Sequence, residues 1–207
     1  GVRWELACGE VVGLSRGDFL AQFEAWAGTQ LAAWVLRASP ATPDIPMLLR
    51  EAGVSGDSAD AAEAGPTDAQ LAAWNTAHPD NPFVLEALLQ AAEHRGSGAI
   101  TQADAPLAEH YAAVRPTDPR PHKLLASLWL ADPATSARAI PHLEWLDARE
   151  QHSSGYAVAL ARLYATEGDM TRAEAKAARA VQIAPYDAGV REFAATIALR
   201  AKDPATA

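Results

Sequence analysis

The stretch Ser154–Asp187 reads SGYAVALARLYATEGDMTRAEAKAARAVQIAPYD and predicts two amphipathic helices joined by a short turn. Residues three and four positions apart lie on the same face of an α-helix. At that spacing the first helix carries Ala157, Leu160, Ala161 and Tyr164, and the second carries Met170, Ala173, Ala177, Ala180 and Ile183. Gly168 suits the sharp turn between them, and Pro185 cannot continue the second helix.

The placement of small residues on these two faces indicates close helix packing. Ala161 and Ala173 allow the two backbones to approach, while bulkier neighbours fill the space beside them. Together with the Gly168-Asp169 turn and the closing Ala184-Pro185-Tyr186-Asp187, this pattern resembles a tetratricopeptide repeat. The resemblance implies an all-α fold, namely a right-handed α-solenoid of tetratricopeptide-like helix pairs.

Helical patterns of similar length recur before and after this unit. The prolines that close successive pairs are Pro79, Pro116 and Pro185, separated by 37 and then 69 residues, and the second gap is close to two periods. One helix is predicted after Thr67, a good capping residue, and others over Pro82–Arg95, Gln102–Arg115, Pro121–Ala131, Thr135–Glu150 and Ala188–Ala201. Residues 67–207 are therefore predicted to form about four repeats.

The first 66 residues have a different character. Residues 1–52 are predicted to form an N-terminal helical segment with helices over Val2–Val12, Arg16–Ala38 and Pro46–Ala52. The middle helix carries an aromatic stripe that includes Phe19, Phe23 and Trp26, and such a stripe is typical of a core. Residues 53–66 (GVSGDSADAAEAGP) are acidic and contain no large apolar side chain, so a flexible loop is predicted there.

A second resemblance concerns residues 12–27, which read VGLSRGDFLAQFEAWA. They are similar to the closing helices of bacterial gluzincin-type metallopeptidase domains that continue into tetratricopeptide repeats. In those proteins a Gly-Leu-Ser turn precedes a helix with spaced Phe and Trp. The resemblance implies a non-catalytic C-terminal region of a secreted or periplasmic zinc metallopeptidase, with the catalytic domain outside this chain.

Composition limits the classes of partner. The 207 residues carry 17 Lys and Arg against 26 Asp and Glu, a net charge of −9, whereas nucleic-acid binding calls for a basic surface. No apolar run is long enough to span a membrane, so a soluble chain without a transmembrane segment is expected. The single cysteine, Cys8, precludes an internal disulfide and does not distinguish a cytoplasmic from a periplasmic or other extracytoplasmic location.

The sequence contains no recognisable catalytic motif. There is no His-Glu-x-x-His, Gly-x-Ser-x-Gly or phosphate-binding glycine run. Among the six histidines no two are spaced to place paired ligands on one helix face. Glu144 and Asp147, which share a predicted helix, are interpreted as a solvated face. We therefore predict no catalytic site, no cofactor and no metal within this chain.

Stacked helix pairs place the first helix of each pair along a concave groove. The groove residues not needed for packing are predicted to contact a partner, and they are Arg120, Lys123, Ser127, Val158, Arg162, Thr166, Glu192, Thr196 and Arg200. Arg120, Lys123 and Arg162 would form a positive spot on an otherwise acidic body. Related grooves that bind carboxylate-terminated peptides also carry Asn, which is missing here. The alternative interpretation is that each of these residues is part of the ordinary solvent-exposed surface and binds no partner.

These observations leave three hypotheses for function. The first is a non-catalytic protein–protein interaction scaffold that binds a protein or peptide in the concave groove. The second is the non-catalytic region of a metallopeptidase described above. The third is a subunit buried within a larger assembly. An upstream His-Glu-x-x-His in the full gene product would favour the second hypothesis.

Overall fold

The computed structural model describes residues 13, 15–35, 42–53 and 65–202 of the chain. Over these residues the secondary structure is helical, with no β-strand. The α-helices are α1 Arg16–Val35, α2 Ile45–Glu51, α3 Asp68–Ala77, α4 Pro82–Arg95, α5 Ala105–Val114, α6 Pro119–Leu130, α7 Ile140–Arg149, α8 Ser154–Thr166, α9 Met170–Ile183 and α10 Ala188–Lys202. Short 3-10 helices at Gln102–Asp104 and Ser136–Ala139 precede α5 and α7. The predicted all-α class is confirmed.

Short polar side chains begin several of these helices. Thr67 accepts a hydrogen bond from the Gln70 backbone N–H while the Gln70 side chain accepts from the Thr67 N–H, which forms a capping box at α3. The side chains of Asn81 and Asp118 accept hydrogen bonds from backbone N–H groups in the first turns of α4 and α6, each just before a proline at the start of the helix. Proline is favourable there because the first helical N–H has no partner within the helix.

Two predicted helices begin later than their sequence pattern suggested. Gln102–Arg115 and Thr135–Glu150 each open with a 3-10 turn, and the α-helical part starts only at Ala105 and Ile140. The cause is a proline at the next position, Pro106 or Pro141. A proline within a continuous α-helix would clash with the carbonyl one turn earlier, so the helix begins beside the proline.

Consecutive helices from α3 to α10 pack against one another, and α8 also contacts α10. A core of buried residues runs through these helices from Leu85 in α4 to Ile197 in α10. The largest fully buried side chains in it include Tyr111 and Tyr164. Residues 82–202 therefore share a continuous interior.

The alanines at the α8–α9 contact have the predicted burial. Ala161 and Ala173 are both 0% exposed and belong to the same core. Ala157, Ala177 and Ala180 on the same two helices are also buried. Small residues therefore line both sides of the contact.

The aromatic stripe of α1 differs from its prediction. Phe23 is 51% exposed and Trp26 is 59% exposed, so the prediction that these two rings belong to the core is wrong. The aromatic contacts of Phe23 are with Phe19 and Trp26, at centroid distances of 6.5 and 5.7 Å. Periodic spacing places these residues on one face of the helix, but it does not show whether another part of the protein covers that face.

The segment that carries α2 is attached to α4 by a hydrogen bond. Asn81 is buried, and its amide Nδ2 donates to the backbone carbonyl of Pro43 at 2.8 Å. The predicted helix Val2–Val12, Cys8 and most of the acidic stretch 53–66 lie outside the described residues.

The close approach of α8 and α9 leads to a test of stability. Replacing Ala161 or Ala173 with Leu should destabilise the protein by about 1–3 kcal/mol, because the added atoms have no space between the helices. Chemical denaturation monitored by circular dichroism measures the loss. Ala175→Leu, at an exposed position of α9, is the matched control and should have little effect. Equal stability of the buried and exposed variants would contradict close packing at this contact.

Candidate functional site

The predicted groove residues lie on three helices. Arg120, Lys123 and Ser127 are on α6, the next three (Val158, Arg162 and Thr166) are on α8, and the last three (Glu192, Thr196 and Arg200) are on α10. These are alternate helices along the chain. The contact between α8 and α10 places two of them side by side.

The two basic residues of α6 already have acidic partners. The Arg120 guanidinium donates to the Glu93 carboxylate of α4. The Lys123 ammonium lies 2.6 Å from Glu150 Oε1, at the end of α7, and this hydrogen bond raises the pKa of Lys123. The Tyr156 hydroxyl of α8 donates to the same Glu150 carboxylate at 3.0 Å. The positive charge expected at Arg120 and Lys123 is therefore offset by neighbouring carboxylates.

Arg162 has a different environment. Its side chain is exposed, and its guanidinium carbon lies 5.2 Å from the centre of the Phe193 ring on α10. Within the described part of the chain it forms no ion pair with a carboxylate. A guanidinium held over an aromatic face keeps its edge N–H donors free. Arg162 is thus the predicted groove cation best placed to receive a partner's carboxylate.

The remaining predicted residues are divided between surface and packing. Val158 is half-buried and packs on a small cluster formed by Ala157, Ala180 and Val190, so part of its surface is used within the protein. The Thr166 and Thr196 hydroxyls donate to carbonyls one turn earlier in their own helices. Ser127 and Glu192 are exposed, and Arg200 is half-buried.

Ser127 lies at a small cavity beside the C-terminal half of α6. The cavity has a volume of about 140 Å³, and its lining consists of Gly98, Ala99, Ile100, Leu124, Ser127, Leu128 and Ala131. Most of these side chains are apolar, and Ile100 belongs to the core. Sequence spacing did not indicate this cavity because residues 98–100 come from a loop.

One of the two acidic residues of α7 corrects the interpretation of Glu144 and Asp147 as a solvated face. Asp147 is 2% exposed rather than solvated, and it accepts hydrogen bonds from Lys176 Nζ at 2.7 Å and Arg179 Nε at 2.8 Å. Burial opposes its ionisation, but these two cations outweigh that effect and lower the pKa of Asp147. Glu144 is exposed, in agreement with that interpretation, and its carboxylate accepts a hydrogen bond from the Tyr164 hydroxyl. Both carboxylates therefore connect α7 to the following pair of helices.

The α6–α7 contact contains a pair of histidines that sequence spacing did not indicate. His122 Nδ1 and His142 Nδ1 are 3.2 Å apart, although the residues are twenty positions apart in the chain. The His122 ring also stacks on Trp145, at a centroid distance of 4.1 Å and an interplanar angle of 11°. Both histidines are half-buried.

Burial keeps this pair neutral. Removal from water, with the nearby His142 and Arg149 acting in the same direction and Asp118 opposing them, lowers the pKa of His122 to about 4. Burial also lowers the pKa of His142, with Arg138 acting in the same direction and Glu109 opposing. Two neutral imidazoles at this distance can form one N–H···N hydrogen bond.

Comparison with known proteins provides no functional assignment. No protein family, no curated protein and no solved structure matches the chain significantly. Within the described ranges, no three His, Cys, Asp or Glu side chains are grouped to hold a metal ion, and no helix is long and apolar enough to cross a membrane.

The histidine pair leads to a prediction about pH. A folded-state pKa below the unfolded value of about 6.5 means that the unfolded chain binds protons first as the pH falls. The stability contribution is thus present above about pH 6.5 and lost as the pH falls from there toward 4, the folded pKa of His122. Thermal unfolding in a chelating buffer should show a midpoint that decreases across this window.

The double variant His122→Gln, His142→Gln should show a smaller decrease between pH 6.5 and 5, a range above most carboxylate titrations. His152→Gln, at an exposed histidine, is the control and should behave as the wild type. An unchanged pH dependence in the double variant would show that the pair is not the source.

Proposed function

We propose that this chain is a non-catalytic scaffold for protein–protein interaction. Its architecture is a right-handed α-solenoid of tetratricopeptide-like helix pairs, α4 with α5, α6 with α7 and α8 with α9, followed by α10. The first helices, α4, α6, α8 and α10, line one surface that binds an extended segment of a partner. A chain that stacks helix pairs in this manner presents a long continuous surface without needing a deep pocket.

The supporting observation is that alternate helices are connected to one another. The α8 helix contacts α10 directly. An ion pair connects Arg120 of α6 to Glu93 of α4, and Glu150 contacts both Lys123 of α6 and Tyr156 of α8. In a solenoid, the first helices of neighbouring pairs lie side by side, so contacts of this kind are expected between them. The surface that we propose for binding is formed by these four helices together.

The charges on this surface select the partner. The cations of α6 are paired with carboxylates, which weakens their attraction for an anion. Arg162 forms no such pair within the described residues, and it lies beside the Phe193 ring. A partner that offers a carboxylate to the guanidinium and an apolar group to the ring would match both features. We therefore propose an extended peptide with an acidic residue or a free C-terminus next to an apolar side chain.

Charge reversal at Arg162 tests this proposal. Peptides selected from a random library displayed with free C-termini would be measured by fluorescence anisotropy against the wild type and Arg162→Glu. We expect Arg162→Glu to weaken binding by about tenfold or more, because a favourable charge contact becomes a repulsive one. Raising the salt concentration should weaken wild-type binding as well.

Arg191→Glu is the matched control. It makes the same change of charge at an exposed position in the first turn of α10, outside the predicted set. Circular dichroism would establish that both variants remain folded. Equal affinity of the wild type and Arg162→Glu for every selected peptide would rule out this surface as the binding site.

A further inference from the structure

The paired histidines of α6 and α7 are not used by the proposed scaffold function. Their Nδ1 atoms face each other at 3.2 Å across a contact between two different helices. We propose that His122 and His142 together form a binding site for a divalent transition metal ion of the Zn²⁺ and Cu²⁺ class. The two Nδ1 atoms are the protein ligands, and water or a partner's side chain occupies the remaining coordination positions.

The distance between the nitrogens suits this role. Zinc binds imidazole nitrogen at about 2.0–2.1 Å with tetrahedral angles, which places adjacent ligand nitrogens about 3.3–3.4 Å apart. The two Nδ1 atoms are already 3.2 Å apart. An ion can therefore be bound at a point displaced to one side of the N···N line, after the rings rotate toward it and the Nδ1 proton of the hydrogen-bonded pair shifts to Nε2 of the same ring.

The plane of the His122 ring and the spacing of the two helices are set before any ion arrives. Stacking on Trp145 fixes the plane of His122, and Arg149 covers the Trp145 ring at 4.0 Å. The backbones of α6 and α7 fix the separation of the two histidines. A pair of ligands ordered in advance loses less conformational entropy on binding than two mobile surface histidines would.

The protonation of the two imidazoles and the charges near them also affect metal binding at this pair. Imidazole binds a metal only through a deprotonated nitrogen, so metal binding at this pair competes with protons. Positive Arg138 and Arg149 near the pair oppose a cation, whereas negative Glu109 and Asp118 favour it. Imidazole is a ligand that zinc and copper accept well, while magnesium and calcium prefer oxygen, so the transition metals are selected.

The site is open rather than complete. No third His, Cys, Asp or Glu within the described ranges is grouped with the pair. Structural zinc sites are closed by four protein ligands, whereas sites with fewer protein ligands retain exchangeable positions. The proposed ion is therefore a reversibly bound one.

The test uses the full 207-residue chain without an affinity tag. Zn²⁺ would be titrated in competition with a chromophoric chelator, and Cu²⁺ would be added for electron paramagnetic resonance. We expect one ion per chain, a Cu²⁺ spectrum with two coordinating nitrogens, and a rise in the thermal midpoint with added Zn²⁺. His122→Gln and His142→Gln should each lower the affinity by about tenfold or more, comparable to or greater than the loss of an outer-shell partner.

His152→Gln is the matched control, since it removes an exposed histidine that is not part of the pair. It should leave the affinity and the copper spectrum unchanged, and circular dichroism would confirm that all three variants fold. Two results would each overturn the proposal. One is an affinity that His122→Gln and His142→Gln leave unchanged, and the other is a wild-type chain that binds no ion more tightly than the double variant does.

Discussion

The close approach of neighbouring helices through alanine is the constraint on which the rest of this structure depends. On α8 and α9 the contacting faces carry Ala161 and Ala173, both without exposed surface. Small side chains on both sides allow the backbones to approach, and the large Tyr164 ring fills the adjacent space. A helix pair packed in this manner is a rigid unit, so the side chains that it presents to the outside have defined positions.

Polar contacts determine how these units are connected. Asp147 of α7 accepts hydrogen bonds from two cations of α9, and Glu150 contacts both α6 and α8. A buried carboxylate is unfavourable without such partners. The side chains of Lys176 and Arg179 must therefore lie within hydrogen-bond distance of Asp147 for its burial to be tolerated. These polar contacts connect both sequential and alternate helices, and they add to the apolar packing of the core. Because each of these carboxylates has a cationic or hydroxyl partner, an acidic chain can pack several carboxylates at helix contacts.

The same charge pairs affect the proposed binding surface. Because Arg120 and Lys123 have intramolecular partners, an anionic ligand would compete with carboxylates that are already in place. On the proposed surface, discrimination between partners would then depend on Arg162 and the ring of Phe193 rather than on total positive charge. The histidine pair lies at the contact between α6 and α7. A metal ion bound there would act on the helix pair that positions Arg120 and Lys123.

Much of the fold was predictable because it depends on local rules. Proline positions, capping residues such as Thr67 and the spacing of apolar residues determined where most helices begin and end. The burial of Ala161 and Ala173 followed from the same periodicity. These features depend on residues within one or two helical turns of each other. Such residues are close in the sequence, so their pattern can be recognised without the structure.

The sequence by itself thus determined most of the helices, their order and the packed faces of α8 and α9, whereas only the tertiary structure decided the partners of the polar side chains. Asp147 was interpreted as solvated, yet a helix about thirty residues later buries it. His122 and His142 are brought together because two helices fold back on each other. The exposure of Phe23 and Trp26 likewise depends on what packs against α1, which periodicity along one helix does not specify. Ion pairing and ring contacts require exact distances between distant segments, and those distances exist only after the helices have packed.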